Sequence, residues 1–259
     1  MRLWSILALG AIMAAGPAWA QDPMAGVDLS APKMTEAGMT RAEVAGLVAS
    51  GRPVDLSGQW LNGLDLSGLD LSGVNLRAAS LNRASLRGTR LAGAVLDQAW
   101  MLGADLAGAN LDGASLFQTQ LRGATLVRAT ARGARAAGDF TGADLTGADF
   151  TGADFSADMR NQSMGLMRGV LRQARAAGAI FRDARMARAD MEFADLSGAD
   201  FTGADLSMAT LGGANLEGAD VAGAVFVDAD LTSARLKDLR NADAAALARA
   251  RNLDRALRD

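Results

Sequence analysis

The sequence predicts an all-β solenoid, a rod of stacked square coils, and three observations carry that prediction. From Val54 to about Asp238 a Leu or Phe returns every fifth residue, most plainly in Gly-Ala-Asp-Leu-Thr-Gly-Ala-Asp-Phe-Thr-Gly-Ala-Asp-Phe, Gly142 to Phe155. Ala stands two places before that apolar residue, with Asp, Asn, Ser or Thr between them. The unit often closes on Ser-Gly or Thr-Gly. A helix needs an apolar period near 3.6 and a plain strand one of 2, so a period of five continues neither. It suits a short strand followed by a corner. Ala and Leu then share the inner side, the residue between them points outward, and glycine supplies the positive φ of a tight turn. Four right-angled corners close a coil of about twenty residues, and coils stack at roughly the 4.8 Å spacing of paired strands. Each buried Leu or Phe contributes roughly 1.5–3 kcal/mol.

The run Ala-Asp-Leu-Ser-Gly-Ala-Asp-Phe-Thr-Gly-Ala-Asp-Leu, Ala194 to Leu206, resembles the pentapeptide-repeat proteins, whose units follow A(D/N)LXX. The resemblance covers most of the chain after residue 20. It implies a right-handed quadrilateral parallel β-helix. It implies little about activity, because that family includes DNA-mimicking topoisomerase inhibitors, fusion modules and members without an assigned role.

Composition excludes several chemistries. The chain has no Cys, His or Tyr, which removes disulfides, thiol nucleophiles, imidazole bases and Cys/His metal sites. Its net charge of −3 over 259 residues is not that of a strongly basic nucleic-acid binder.

Residues 1–20 read as a secretory signal. Arg2 precedes an apolar core, Leu3 to Ala15, and Ala18-Trp19-Ala20 is a small-x-small cleavage site. The apolar stretch is shorter than the roughly twenty residues of a membrane span. The expectation is a periplasmic or secreted protein, cut after Ala20 and without a transmembrane segment.

Residues 21–39, with Pro23, Pro32 and Gly38, read as a linker, and 40–51 as an N-terminal capping helix. Thr40 and Glu43 form a capping box, Met39 and Val44 a hydrophobic staple, and Val44, Leu47 and Val48 an apolar face; Gly51 and Pro53 stop the helix. The β-helix occupies 52–238, about nine coils and about 40 Å long. Leu64, Leu69 and Val74 stand where later units have Ala, which predicts wider or looser first coils. Phe140 comes one residue early. From Phe155 to Leu166 is eleven residues instead of ten, so deletion and insertion should cancel, leaving a bulge or small loop at 157–165. Residues 239–259 read as a C-terminal helical cap and tail: Asn241 caps a helix through Ala244, Leu247, Ala248 and Arg251, Leu253 and Leu257 add a last wrap, and Arg258 and Asp259 are free.

The outward aspartates, Asp144, Asp149, Asp154, Asp195, Asp200, Asp205 and Asp220, could be read as paired catalytic carboxylates on envelope glycans. They are also the stock filler of the outward slot, and flat walls offer no deep pocket. No catalytic or cofactor-binding residue is assigned, and no enzymatic activity is expected. Asp200 and Asp220 stack one coil apart, but two carboxylates are too few for Ca²⁺, so no metal site is assigned. Basic belts (Arg122 to Arg135, then Arg160 to Arg188) alternate with acidic ones, whereas a gyrase-directed DNA mimic needs unbroken negative rows. Arg175 should lie over Asp195, Arg185 over Asp205 and Arg172 over Glu192, each pair contributing roughly 0.2–1 kcal/mol.

The expected function is an exported, non-enzymatic structural or protein-protein interaction module, monomeric or dimeric. Val95, Trp100, Leu102 and Phe117 put apolar side chains in outward slots: Val95 and Phe117 on one wall in adjacent coils, Trp100 and Leu102 on the next. They form the candidate interaction patch for a protein partner.

Overall fold

A computed structural model describes residues 24, 26–51, 53–159 and 167–258. The expected signal segment and most of the 157–165 interruption lie outside them.

From Asp55 onward the outward residue of each unit makes one parallel bridge to the unit twenty residues on, as in Asp55 with Asn75, Trp60 with Ser80, Asp65 with Ser85 and Asp70 with Arg90. Four such rows run along the rod, one per wall. The first wall carries residues 55, 75, 95, 115, 135, 154, 185, 205 and 225; the second carries 60, 80, 100, 120, 139, 170, 190, 210 and 230. The walls are single-residue bridges joined by turns, because the chain must corner again before a second residue can pair.

Counting the amides explains the repeat. In the Asp105 unit, Asp105 N donates to Ala84 O of the preceding coil (2.9 Å) and Leu106 N to Thr125 O of the next (2.7 Å). Gly108 N donates to Val127 O (3.0 Å), and Ala109 N closes the turn on Leu106 O (2.9 Å). Those bonds use four of the five N–H groups. The fifth, Ala107 N, donates to Asp105 Oδ1 at 3.0 Å. Buried backbone donors must be satisfied, so an outward Asp or Asn completes the unit, and the same bond recurs at Asp55, Asp65, Asp144, Asp149, Asp195 and Asp205. Inside, the Leu, Phe and Met centres and the preceding Ala residues form one continuous buried column.

The first coils are no looser than the rest. Leu56, Leu61, Leu66 and Leu71 all donate to the next coil at 2.7 Å. Leu64 and Leu69 stay half-buried at the end of the rod, packed against a core that includes Val44 of the cap. That cap is helix α2, Arg41–Ala49, with the Thr40–Glu43 capping box formed; within it Val44 is buried, Val48 partly so, and Leu47 exposed. The described part of the expected linker is instead docked. Helix α1, Pro32–Thr35, buries Met34, and Ala37 bridges Leu61 antiparallel, covering the open edge of the first coil. Asn62 Nδ2 donates to Lys33 O and Glu36 O, and Asn82 Nδ2 to Met34 O, so two side-chain amides hold this segment's carbonyls.

The register changes twice: in the five-residue count the two changes cancel, since the outward slots return to 170, 175, 180 and 185, but in the twenty-residue coil they do not. Arg135 bridges Asp154, nineteen residues on, because Gly138 makes a tighter corner with its N–H on Ala136 O at 2.8 Å. Asp154 then bridges Arg185, thirty-one residues on, and Asp139 bridges Val170, also thirty-one on. One unit therefore carries eleven extra residues beyond a twenty-residue coil. Less the one deleted, the net change is ten, which is half a coil. The excursion is closed at its neck by Asp158 N on Met167 O (2.8 Å) and Gly169 N on Phe155 O (2.8 Å). It leaves the core column uninterrupted. Ala131 and Ala136 free space that Phe150 and Phe155 fill in the next coil, and the ring stack continues through Phe181 and Phe201.

At the C-terminal end Asp243, not Asn241, caps α3, Ala244–Leu247, accepting from Ala245 N at 2.9 Å. Asn241 adopts φ 55° and donates to both carboxylate oxygens of Asp220, so its side chain serves the solenoid. The turn of helix ends before Arg251, which with Leu257 bridges Asp230 and Arg235 and extends the rod by a partial coil. Arg258 reaches Leu253 O at 3.4 Å.

Candidate functional site

The outward Asp is dispensable wherever the coil before supplies the missing acceptor. Trp100 has no side-chain oxygen to accept from Leu102 N; Asn82 Oδ1 of the preceding coil accepts it at 2.9 Å. Asn62 Oδ1 does the same for Asn82 N (3.0 Å), below Trp60 and Ser80. At the next corner Asp97 Oδ1 accepts from Phe117 N (3.3 Å), and Asp112 Oδ1 from Arg132 N (2.9 Å). Asn62 and Asn82 therefore relieve Ser80 and Trp100 of that duty on the second wall. Replacing Asn82 by Leu should leave Leu102 N and Met34 O unpaired in a buried place. The expected loss is about 2–4 kcal/mol, read from urea unfolding; an unchanged midpoint would refute this role.

Val95 pairs with Asn75 and Ser115 on the first wall, and Trp100 with Ser80 and Gln120 on the second. Phe117 lies at the corner leaving the first wall and Leu102 at the corner leaving the second; all four are half-buried. Phe117 is partly covered, since the Arg135 guanidinium sits 3.7 Å from its ring centroid. Trp60, which the sequence reading left out, is 39% exposed and shares the second wall with Trp100, two coils away. Its forty-residue distance from Trp100 was the available signal.

Elsewhere along the rod the walls are occupied by charge pairing. Arg122 meets Asp139 at 2.5 Å, Arg132 meets Asp149 at 2.7 Å, and Arg182 meets Asp200 at 2.6 Å, so basic belts close onto adjacent acidic coils. Arg172 pairs with Glu192. Arg175 bridges Asp195 and Arg185 bridges Asp205, yet both guanidinium groups reach back to Asp144 (2.9 Å) and Asp154 (2.6 Å). The half-coil shift sets those carboxylates beside them, while Asp195 is engaged by Asn215 Nδ2 and Ser197 N. Asp200 and Asp220 do stack, the first held by Arg182 and the second by Asn241.

These bonds make the fold acid-sensitive. Hydrogen bonds from the Ser72 side chain, then Arg90, then the Ser72 amide hold Asp70 down to about 2. At Asp149 burial pushes upward, but Thr151 and Arg132 prevail and its value is lowered. A carboxylate depressed in the folded state stabilises above its unfolded value, near 3.9, and loses that contribution as pH falls through the folded one. The urea midpoint should therefore fall between about pH 4 and pH 2, and fall less in Asp70→Asn. A midpoint flat over that window would contradict this account.

A hollow of 290 Å³ lies between the last coil and α3, lined by Leu236, Leu239, Leu247 and Leu253 among others. None of the outward carboxylates named above lines it.

A family model described as Pentapeptide repeats matches in eight copies, over residues 54–157 and again over 170–243, skipping the excursion. Among solved structures, a trypsin-treated form of QnrB1, a plasmid-mediated fluoroquinolone resistance protein, is 18% identical over 80% of this chain and 90% of its own, with a TM-score of 0.54. HetL, a pentapeptide repeat protein involved in heterocyst differentiation regulation from the cyanobacterium Nostoc sp. strain PCC 7120, is 25% identical over 85% of this chain and 94% of its own, with a TM-score of 0.34. Among curated proteins no match to the chain is found. The twenty-residue bridge rows, the five-residue amide count and the eight matched copies together place the chain in the pentapeptide repeat family, whose members fold as right-handed quadrilateral β-helices.

Proposed function

We propose that this protein is an exported, non-enzymatic structural or protein-protein interaction module that works through the outer walls of its rod. The observation that carries this reading is the employment of its polar side chains. Outward Asp and Asn groups cap turn amides or bind arginines, so the carboxylates that would suggest catalysis are committed to the scaffold. On the same walls and corners Val95, Trp100, Leu102 and Phe117 present apolar side chains, to which Trp60 is added, and Asn82 takes the amide that Trp100 cannot cap. Arg135 sets a guanidinium over the face of Phe117, and arginine is among the residue types that dominate binding energy at protein interfaces. Export rests on the Arg2, Leu3–Ala15 and Ala18-Trp19-Ala20 pattern.

Cell fractionation with mass determination of the N-terminus tests the location. The expected species begins at Gln21 outside the cytoplasm; an intact Met1 form in the cytoplasm would overturn export. Crosslinked capture tests the surface. A Trp100→Gln, Phe117→Ser variant should lose a partner that the wild type retains, and identical captured sets would refute the patch.

A further inference from the structure

Along the second wall large and small residues alternate. Gly38, hydrogen-bonded through its N–H to Trp60 O, extends the row Trp60, Ser80, Trp100, Gln120 at its open end. A Cβ on Gly38 would stand 3.7 Å from that of Trp60. Ser80 occupies an outward slot yet is only 4% exposed, whereas Ser85 and Ser115 in outward slots are half-buried. Its row neighbours on both sides are Trp60 and Trp100. Trp60 is exposed and Trp100 half-buried, so both side chains reach solvent.

Two bridge steps separate the indoles, about 9.6 Å at the usual strand spacing. Between and beyond them the row is neutral. Gln120 Oε1 is buried and accepts no hydrogen bond among the described residues, and the first charged group of the row is Asp139, held by Arg122.

We propose that this strip binds an extended β-1,4-linked glycan strand, with Trp60 and Trp100 stacking on alternate sugar rings. The chemistry points to this class on three grounds. The C–H-rich face of a pyranose carries partial positive charge that suits the negative face of an indole. In an extended β-1,4 chain equivalent faces recur every second sugar, a repeat that matches two coils of this rod. A neutral wall neither attracts nor repels an uncharged sugar, whereas a polyanion would find no basic row here. The inference rests on the surface-binding reading above and names the ligand of one wall. Position 100 is free of the capping duty, since Asn82 already satisfies Leu102 N.

The chain that begins at Gln21 is titrated with chitohexaose and cellohexaose, following indole fluorescence, with maltohexaose as the α-linked, coiling comparison. A saturable change with a β-1,4 hexasaccharide, absent with maltohexaose, is expected. Trp60→Ala and Trp100→Ala should each weaken it by about tenfold, the loss of one aromatic contact, while Trp100→Tyr, which keeps a stacking ring and guards against misfolding, should bind within a few-fold of wild type. In the form that begins at Gln21, Trp60 and Trp100 are the two tryptophans, so the fluorescence reports on this strip alone. No response to any β-1,4 hexasaccharide, an equal response to maltohexaose, or affinity unchanged in both Ala variants would each overturn the proposal. A protein captured through Trp100 and Phe117 without any glycan response would overturn it too, yet leave the interaction-module reading standing. Cleavage of a hexasaccharide would instead refute the non-enzymatic reading.

Discussion

Phe181→Ala is expected to remove about 3–5 kcal/mol of stability, the cost of truncating a fully buried aromatic that its surroundings cannot collapse around. Phe181 lies between two parallel rings, Phe150 at 5.6 Å and Phe201 at 5.1 Å, and meets Phe155 edge-on at 5.9 Å. No neighbour can fill the void, because the column is only one side chain deep on each wall and the walls are held by backbone bonds to both adjacent coils. In a quasi-one-dimensional protein such a defect also weakens coupling between the repeats on either side. Urea unfolding followed by circular dichroism should show both an earlier midpoint and a broader or two-stepped transition. Phe181→Leu, which keeps most of the volume, should cost less than about 1.5 kcal/mol. If the Ala variant unfolds within about 1 kcal/mol of wild type, the aromatic column is not the reservoir of stability argued here.

Gly138→Ala should cost about 1–3 kcal/mol from overpacking. A Cβ there would stand 2.8 Å from Leu116 O and 2.9 Å from Thr119 O. Both are backbone atoms of the preceding coil and cannot move without breaking its bonds. Gly108 makes the useful contrast. Its φ is 66°, a Cβ there meets nothing within 4 Å, and Gln98 and Arg128 hold the equivalent corner at 61° and 56°. Gly108→Asn should therefore be nearly silent. Equal midpoints for the two variants would mean that the nineteen-residue coil tolerates what its geometry forbids.

The period, the buried centres, the outward slots and the capping box of α2 were legible in the sequence because each depends on contacts within one unit or one helical turn. Five-residue spacing tells which side chains face inward whatever the neighbouring coil contains. Val95 and Trp100 stand out in the sequence for the same reason, as apolar side chains in outward slots, whereas Leu102 and Phe117, expected in such slots, stand at corners. Trp60 was overlooked because its significance lies in a neighbour forty residues away rather than in its own unit.

What the sequence by itself determined was therefore the unit and its repetition; what only the tertiary structure decided was which unit stands beside which. The eleven extra residues could not be told from two units with a bulge, since both leave the apolar spacing almost intact. Only the bridges from Asp139 to Val170 and from Asp154 to Arg185 reveal the half-coil shift and bring Arg175 and Arg185 to Asp144 and Asp154. The docking of residues 26–39 and the acceptor role of Asn62 and Asn82 are of the same kind. A side-chain amide carries no mark of the distant carbonyl or coil whose hydrogen bond it completes, because that partner is chosen by packing and not by proximity along the chain.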